Sequence, residues 1–274
     1  MTQQTKPSQT TAQERAWSRL GSASDLRNNG KTIEAKQELE SALAEARDVP
    51  YEIEFETRIQ LAMTLADVYY SLNEIDAVSK MLSEEAAFAE KISQIMKITG
   101  TPSQKRAATG GFLQVRDRAT QMNLLGKKAP EIIAKNWINT EPLKLEMVRG
   151  RVVLLEFWAT WCKPCQETFP KLVELYQNLR KDLEIIALTR HYMAYRGTPE
   201  AMEEEVELIR RTIAKHGATF PVAVAEDEKL QTIYGANGLP TAFLIDRDGI
   251  VQYAGQGVDD PGFKQVLQRC LSNG

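Results

Sequence analysis

Residues Val152–Cys165 read VVLLEFWATWCKPC, and this stretch decides the fold. Val152 to Phe157 is a short apolar, β-rich run, as expected of a buried strand. A single acid, Glu156, interrupts it. Two cysteines, Cys162 and Cys165, follow three residues apart, where the strand pattern turns into a helix pattern. A cysteine at a helix N-terminus meets free backbone N–H groups and the positive end of the macrodipole, which favour its thiolate. The Cys162 pKa is therefore expected below the free-thiol value of about 8.5. Pro164 suits the first turn, where a missing N–H costs nothing. Lys163 adds a nearby cation, and Cys165 lies about one turn on, within reach of a mixed disulfide. The chemistry this predicts is a redox-active dithiol that needs no cofactor and no metal.

Moving outward, the chain from Lys127 onward alternates strand and helix signals. Strands are predicted at 152–157, 183–189, 220–225, 241–246 and 250–254. Helices are predicted at 164–179, 199–216, 229–234 and 261–271, with Pro170 expected to kink the first. Arg247-Asp248-Gly249 is a hairpin signal. This order implies an α/β domain, a mixed sheet covered by helices on both faces.

Toward the N-terminus, residues 12–122 read as helical, with prolines only at Pro50 and Pro102, between helical patterns. Ala35, Leu39, Ala42 and Ala46 mark one helix face. The next helix carries two stripes, Phe55-Ile59-Ala62-Ala66-Tyr69 and Leu61-Leu65-Val68-Leu72, so it should pack on two sides. Ile75, Val78, Leu82, Ala86 and Ala89 mark a third. The pattern is an all-α set of helical hairpins, either a small bundle or an array faintly similar to tetratricopeptide repeats. Gly100-Thr101-Pro102 and Gly110-Gly111 are expected to break it, with a last helix near 112–123. The predicted organisation is a flexible leader at 1–11, a helical domain at 12–125 and the α/β domain at 126–274.

VVLLEFWATWCKPC resembles the active-site strand and turn of the thioredoxin superfamily, and GLPTAFLIDRDGIV, from Gly238, resembles its proline loop and hairpin. The entry from Gly126 through Ala129-Pro130 to Arg149-Gly150 is similar to the TlpA/ResA-like branch of extracytoplasmic thiol–disulfide oxidoreductases. So is the extra helix between Thr189 and Phe220. The resemblance implies a thioredoxin-like mixed sheet. It also implies that Cys162 is the attacking nucleophile and Cys165 the resolving thiol. Pro240 would be a cis-proline facing the dithiol, preceded by Leu239, whose backbone would pair with a substrate peptide. Trp161, Lys163 and Pro164 would complete the substrate rim. Glu156 matches the buried aspartate of thioredoxins proper, where many TlpA-like proteins have asparagine. Its ionised form is costly in an apolar strand, so a raised pKa and a proton-shuttling role toward Cys165 are expected. The alternative is that it reaches solvent or a lysine. The ResA-like subset carries a glutamate three residues after the second cysteine. Here that position is Thr168, and Glu167 falls one residue early. Protein thiols and disulfides as substrates, a redox donor, a reducing direction and an extracytoplasmic site are all implied by the resemblance.

Composition narrows the alternatives. With 43% hydrophobic and 26% charged residues and a net charge of −3, the chain has no basic stripe for nucleic acid. Three cysteines are too few for a disulfide framework. No run approaches the ~20 apolar residues of a membrane span. The opening MTQQTKPSQTTAQE lacks the apolar stretch of a signal peptide, which fits a cytoplasmic protein or an exported one whose signal has been removed. The resemblance favours the second. Cys162, Cys165, His191 and His216 make a poor zinc set, because one CxxC lacks a second tight ligand pair. A Cu(I)-handling dithiol is the chemically reasonable alternative. A scaffold whose helical domain binds a partner is another. A peroxidatic Pro-x-x-x-Thr-x-x-Cys pattern is absent, Thr160 lying two residues before Cys162. His191 is expected to be a polar loop residue, His216 a helix cap and Cys270 a small core residue.

Overall fold

The structure, a computed structural model, describes residues 10–50, 52–192 and 198–272. Its chain divides into two compact units, Met1–Ala119 and Thr120–Gly274.

The first unit is helical. Its elements are α1 (Ala12–Asn28), α2 (Thr32–Asp48), α3 (Phe55–Ser71), α4 (Ile75–Thr99) and the start of α5 (Pro102–Leu124). Residues 1–9 of the expected leader lie outside the described residues, and Thr11 already belongs to the fold. Its hydroxyl accepts the Glu14 N–H, and its own N–H donates to the Glu14 carboxylate, a reciprocal capping box. Connections of three residues join α1 to α2 and α3 to α4, so each pair folds back on itself. Ala35, Leu39, Ala42 and Ala46 are all buried, as their spacing requires. Leu61, Leu65 and Val68 are buried on one side of α3, and Ile59, Ala62 and Ala66 on the other. The two stripes are explained by the packing of α3 against both α2 and α4.

Gly110-Gly111 does not break the helix, contrary to expectation, and α5 is continuous from Pro102 to Leu124. The reason is packing. A Cβ on Gly111 would lie 2.5 Å from Phe55 Cε1 and 3.1 Å from Ile59 Cγ1, so glycine is what lets α5 approach α3 closely.

The second unit holds one six-stranded mixed sheet in the order β1-β4-β3-β2-β5-β6. The strands are β1 (Asn136–Ile138), β2 (Val152–Phe157), β3 (Leu183–Arg190), β4 (Val222–Ala225), β5 (Thr241–Ile245) and β6 (Val251–Gly255). β2 runs parallel to β3 and antiparallel to β5, with Glu156 paired between Ala187 and Ala242. The helices are α6 (Lys163–Leu179), α7 (Pro199–Lys215), α8 (Lys229–Tyr234) and α9 (Pro261–Ser272). Residues 152, 154 and 156 of β2 face one way. Val152 and Leu154 join a core built with Phe169 and Leu172 of α6, Ile209 and Ile213 of α7, and Phe263 and Leu267 of α9. Val153, Leu155 and Phe157 face a second core with Leu230 and Tyr234 of α8 and the 3-10 turn at Leu145–Val148. The strand is thus buried on both faces, which is why it reads as an unbroken apolar run. No helix among the described residues is long and apolar enough to cross a membrane.

Candidate active site

The site forms where β2 hands the chain to α6. Past Phe157, the Trp158 N–H still donates to the Leu188 carbonyl at 3.0 Å, and the Trp158 ring packs edge-on against Phe169 with centroids 4.9 Å apart. The chain then turns, with Cys162 N–H on the Ala159 carbonyl at 3.1 Å and Gln166 Nε2 on the Thr160 carbonyl at 2.5 Å. Cys162 is the N-cap of α6, and its Sγ accepts the Cys165 N–H at 3.3 Å. The two cysteines are joined as a disulfide with Cα atoms 5.3 Å apart. Both are buried, at 4% and 1% exposure, while Trp161 beside them is 64% exposed. Lys163 is exposed and lies 3.9 Å from Glu167 one turn on, which tempers its charge. Pro164 occupies the first turn. The Thr168 hydroxyl, at the position where the ResA-like subset has an acid, is buried and donates to the Cys165 carbonyl at 2.8 Å.

β5 starts at Thr241, which pairs with Phe157. One step beyond that pair, Leu239-Pro240 therefore enters the sheet beside the turn that carries the cysteines. The Leu239–Pro240 bond is cis. Thr241 Oγ1 donates to the Gly238 carbonyl at 2.6 Å and secures the loop.

Glu156 shares the sheet face of the core that contains Cys162 and Cys165. It is 1% exposed, and neither carboxyl oxygen has a hydrogen-bond partner among the described residues. The alanines at 187 and 242 leave room for its side chain. Burial, and secondarily the negative Asp259, push its pKa well above the ordinary carboxyl value. The alternative of a solvent or lysine contact is excluded by this geometry.

The two histidines do not join the cysteines. His216 caps α7 and its ring lies 5.3 Å from that of Phe169. His191 follows β3 in the loop, as expected, but it is buried rather than facing solvent. It is 3% exposed, with Nδ1 3.4 Å from Glu205 Oε2 and Nε2 3.4 Å from Asn136 Nδ2. Its N–H, bonded to the Ala225 carbonyl at 3.0 Å, carries the β3–β4 pairing one residue past Arg190, and that draws the ring inside. Glu205 was missed in the sequence. Its signal was present: Ala201, Glu205, Ile209 and Ile213 recur every four residues on the buried face of α7. The acid-rich run around it hid the one acid that points inward. No group of three or more metal-ligating side chains occurs among the described residues. Cys270 is a free, buried thiol in the α9 core, its pKa raised by burial.

Comparison with known proteins agrees with this geometry. The AhpC/TSA family matches residues 125–254. Thiol-disulfide oxidoreductase ResA of Bacillus thuringiensis (strain Al Hakam) is 36% identical over 128 residues, which cover 46% of this chain and 66% of that protein. The chain thus spans just under two thirds of that relative's length. ResA of Geobacillus kaustophilus (strain HTA426) is 33% identical over 150 residues, 54% of this chain and 77% of that protein. Among solved structures, a putative thiol:disulfide interchange protein DsbE from Chlorobium tepidum aligns over 54% of this chain and 97% of its own, at 28% identity and TM-score 0.45. A thioredoxin-like sheet, a CxxC at the head of its first helix and this degree of identity to ResA establish that the chain belongs to the ResA-like thiol–disulfide oxidoreductase family.

Proposed function

We propose that the protein exchanges disulfides with protein thiols through the Cys162–Cys165 couple. The observation that carries this reading is the position of Cys162, whose sulfur caps α6 and accepts a backbone N–H. After reduction, the same N–H and the helix dipole favour the Cys162 thiolate. That thiolate attacks one sulfur of a substrate disulfide. A Cys162–substrate disulfide forms, and the other substrate sulfur leaves as a thiolate. Cys165, deprotonated, then attacks Cys162 Sγ. The internal disulfide re-forms, the second substrate thiolate departs, and two electrons have passed to the substrate. A reducing partner restores the dithiol. Run backwards, the steps oxidise a dithiol.

Glu156 is the base we assign to Cys165. A carboxyl with a raised pKa, buried in the same core and without a hydrogen-bond partner among the described residues, is suited to hold the proton that Cys165 must lose. With Thr168 where the ResA-like subset has its acid, the buried Glu156 is the acid this reading assigns to the site. Cis-Pro240 and Leu239 present the backbone edge against which the substrate peptide lies, and Trp161, Lys163 and Pro164 form the opposite rim. We read the direction as reducing and the setting as extracytoplasmic, in keeping with the TlpA/ResA-like sequence features. The helical hairpins, a small bundle or a repeat-like array, are the surface available to a partner.

The reduction potential of the couple, titrated against glutathione or dithiothreitol, tests the reading. A value near about −270 mV supports a reductant and one near about −120 mV an oxidant. No reversible two-electron transition would reject disulfide exchange. Cys162→Ser is expected to abolish insulin reduction, and Cys165→Ser to accumulate mixed disulfides. Full activity in Cys162→Ser would overturn the assignment of the nucleophile.

A further inference from the structure

We propose that Tyr192 is a positioning residue for this exchange reaction, holding Trp161 as a fixed aromatic rim for an apolar side chain next to the reacting cysteine of a polypeptide. The inference rests on the exchange reading above.

Trp161 adjoins the nucleophile and is 64% exposed. An exposed indole with nothing beside it changes rotamer within nanoseconds and presents no defined surface. Here Tyr192 stands against it, with ring centroids 5.3 Å apart and an interplanar angle of 84°, the edge-to-face arrangement that aromatic pairs prefer. Tyr192 is itself held from three further directions. The Arg190 guanidinium lies 4.4 Å from its ring centroid. The buried Gln231 of α8 donates Nε2 to its hydroxyl at 2.8 Å. Glu205 of α7 accepts its backbone N–H at 2.9 Å.

The last contact is the telling one. Glu205 is 2% exposed, and a buried carboxylate is costly unless its oxygens are engaged. One oxygen fixes the Tyr192 backbone and the other faces His191 Nδ1 at 3.4 Å. An inward-pointing acid on the helix inserted between β3 and β4 therefore fixes one backbone position, and that position sets the Trp161 ring. Neither Tyr192 nor Glu205 takes part in the sulfur chemistry, so small disulfides have no use for the arrangement. A polypeptide that must lie across the rim does.

Insulin and the small disulfide DTNB separate these cases, measured with wild type, Tyr192→Ala and Tyr192→Phe. Tyr192→Ala is expected to raise KM for insulin about fivefold to tenfold, the worth of one aromatic pair, with kcat within about twofold. The DTNB rate and the reduction potential should stay at wild-type values. Tyr192→Phe keeps the edge contact and should restore most of the insulin KM. Acrylamide quenching of Trp161, taken as the difference from a Trp161→Phe background, should increase in Tyr192→Ala. An unchanged insulin KM, an equal loss toward insulin and DTNB, or unchanged quenching would each overturn the proposal. A wild-type protein inert toward both disulfides would sink the exchange reading, and this inference with it.

Discussion

Gly257 stands directly against Glu156: a Cβ on Gly257 would lie 3.1 Å from Glu156 Oε2 and 3.2 Å from the Ala242 methyl. Gly257 also has φ +89°, a conformation that side chains resist. Its N–H is held by the Tyr253 hydroxyl at 3.1 Å, and that hydroxyl donates to Asp260 at 2.8 Å. The loop between β6 and α9 is thereby pinned over the carboxyl and keeps it dry. Gly257→Ala should cost about 1–3 kcal/mol, from backbone strain and crowding together. A urea titration of oxidised protein measures it. A double-mutant cycle with Glu156→Ala, which removes the carboxyl oxygen the new methyl would meet, isolates the crowding against Glu156 from the backbone strain.

Glu156 makes the fold pH-sensitive in a direction that can be worked out. Below its ordinary value of 4.5 the carboxyl is neutral in both folded and unfolded chains. Above it, the unfolded chain releases the proton while the folded one retains it, so stability is lost as pH rises toward the raised folded value. Glu156→Gln removes that loss. The variant should match wild type at pH 4 and be the more stable protein at pH 8, by urea midpoints of the oxidised forms. In stopped-flow reduction of a protein disulfide, the same variant should slow resolution of the mixed disulfide by about a hundredfold and flatten its pH–rate profile. A profile identical to wild type would remove Glu156 from the mechanism.

The sequence carried the parts of the site that local chemistry dictates. β2 begins and ends at the predicted residues because a strand buried on both faces has no polar position to blur its limits, Glu156 excepted. Cys162 and Pro164 announce a helix start through capping and a missing N–H, both local effects. The Thr11-x-x-Glu14 capping box was equally local and was overlooked in a leader rich in Gln and Thr. What stayed hidden depends on distant partners. β1 spans only Asn136–Ile138 and exists through its pairing with β4. His191 and Glu205 acquire meaning only once β3 and α7 meet. Gly110-Gly111 reads as a break because glycine weakens a helix locally, yet a neighbouring aromatic ring decides otherwise.

Those two glycines give opposite predictions from one sequence position to the next. Nothing lies within 4 Å of a Cβ on Gly110. Gly110→Ala should therefore stabilise the first unit by about 0.5–1 kcal/mol through helix propensity alone. Gly111→Ala gains the same propensity but drives a methyl to 2.5 Å from the Phe55 ring. Overpacking of this kind costs about 1–3 kcal/mol, so the net change should be destabilising. Urea midpoints shifted in opposite directions are the expected result. Equal shifts would mean that the α3–α5 contact yields without cost.

Within the first unit, Glu85 of α4 is fully buried, and two arginines meet its carboxyl. Arg58 Nε donates to Oε2 at 2.7 Å, Arg58 Nη2 to Oε1 at 3.2 Å, and Arg47 Nε to Oε1 at 2.8 Å. Arg58 is itself 6% exposed, gives Nη1 to the Ala46 carbonyl at 3.2 Å, and lies 3.5 Å from the Phe88 ring centroid. One carboxylate thus ties α2, α3 and α4 together. Glutamine at 85 keeps one oxygen to accept from an arginine but removes the negative charge that balances the buried Arg58 guanidinium. Glu85→Gln should cost about 3–5 kcal/mol, as expected for an uncompensated buried charge. Replacing both partners, as Arg58→Leu with Glu85→Leu, should recover most of that loss, because a buried ion pair adds little over well-packed apolar groups. Amide hydrogen exchange across α2–α4 reads the effect locally. Unchanged protection in Glu85→Gln would show that water reaches Arg58 and that the pair is not isolated from solvent.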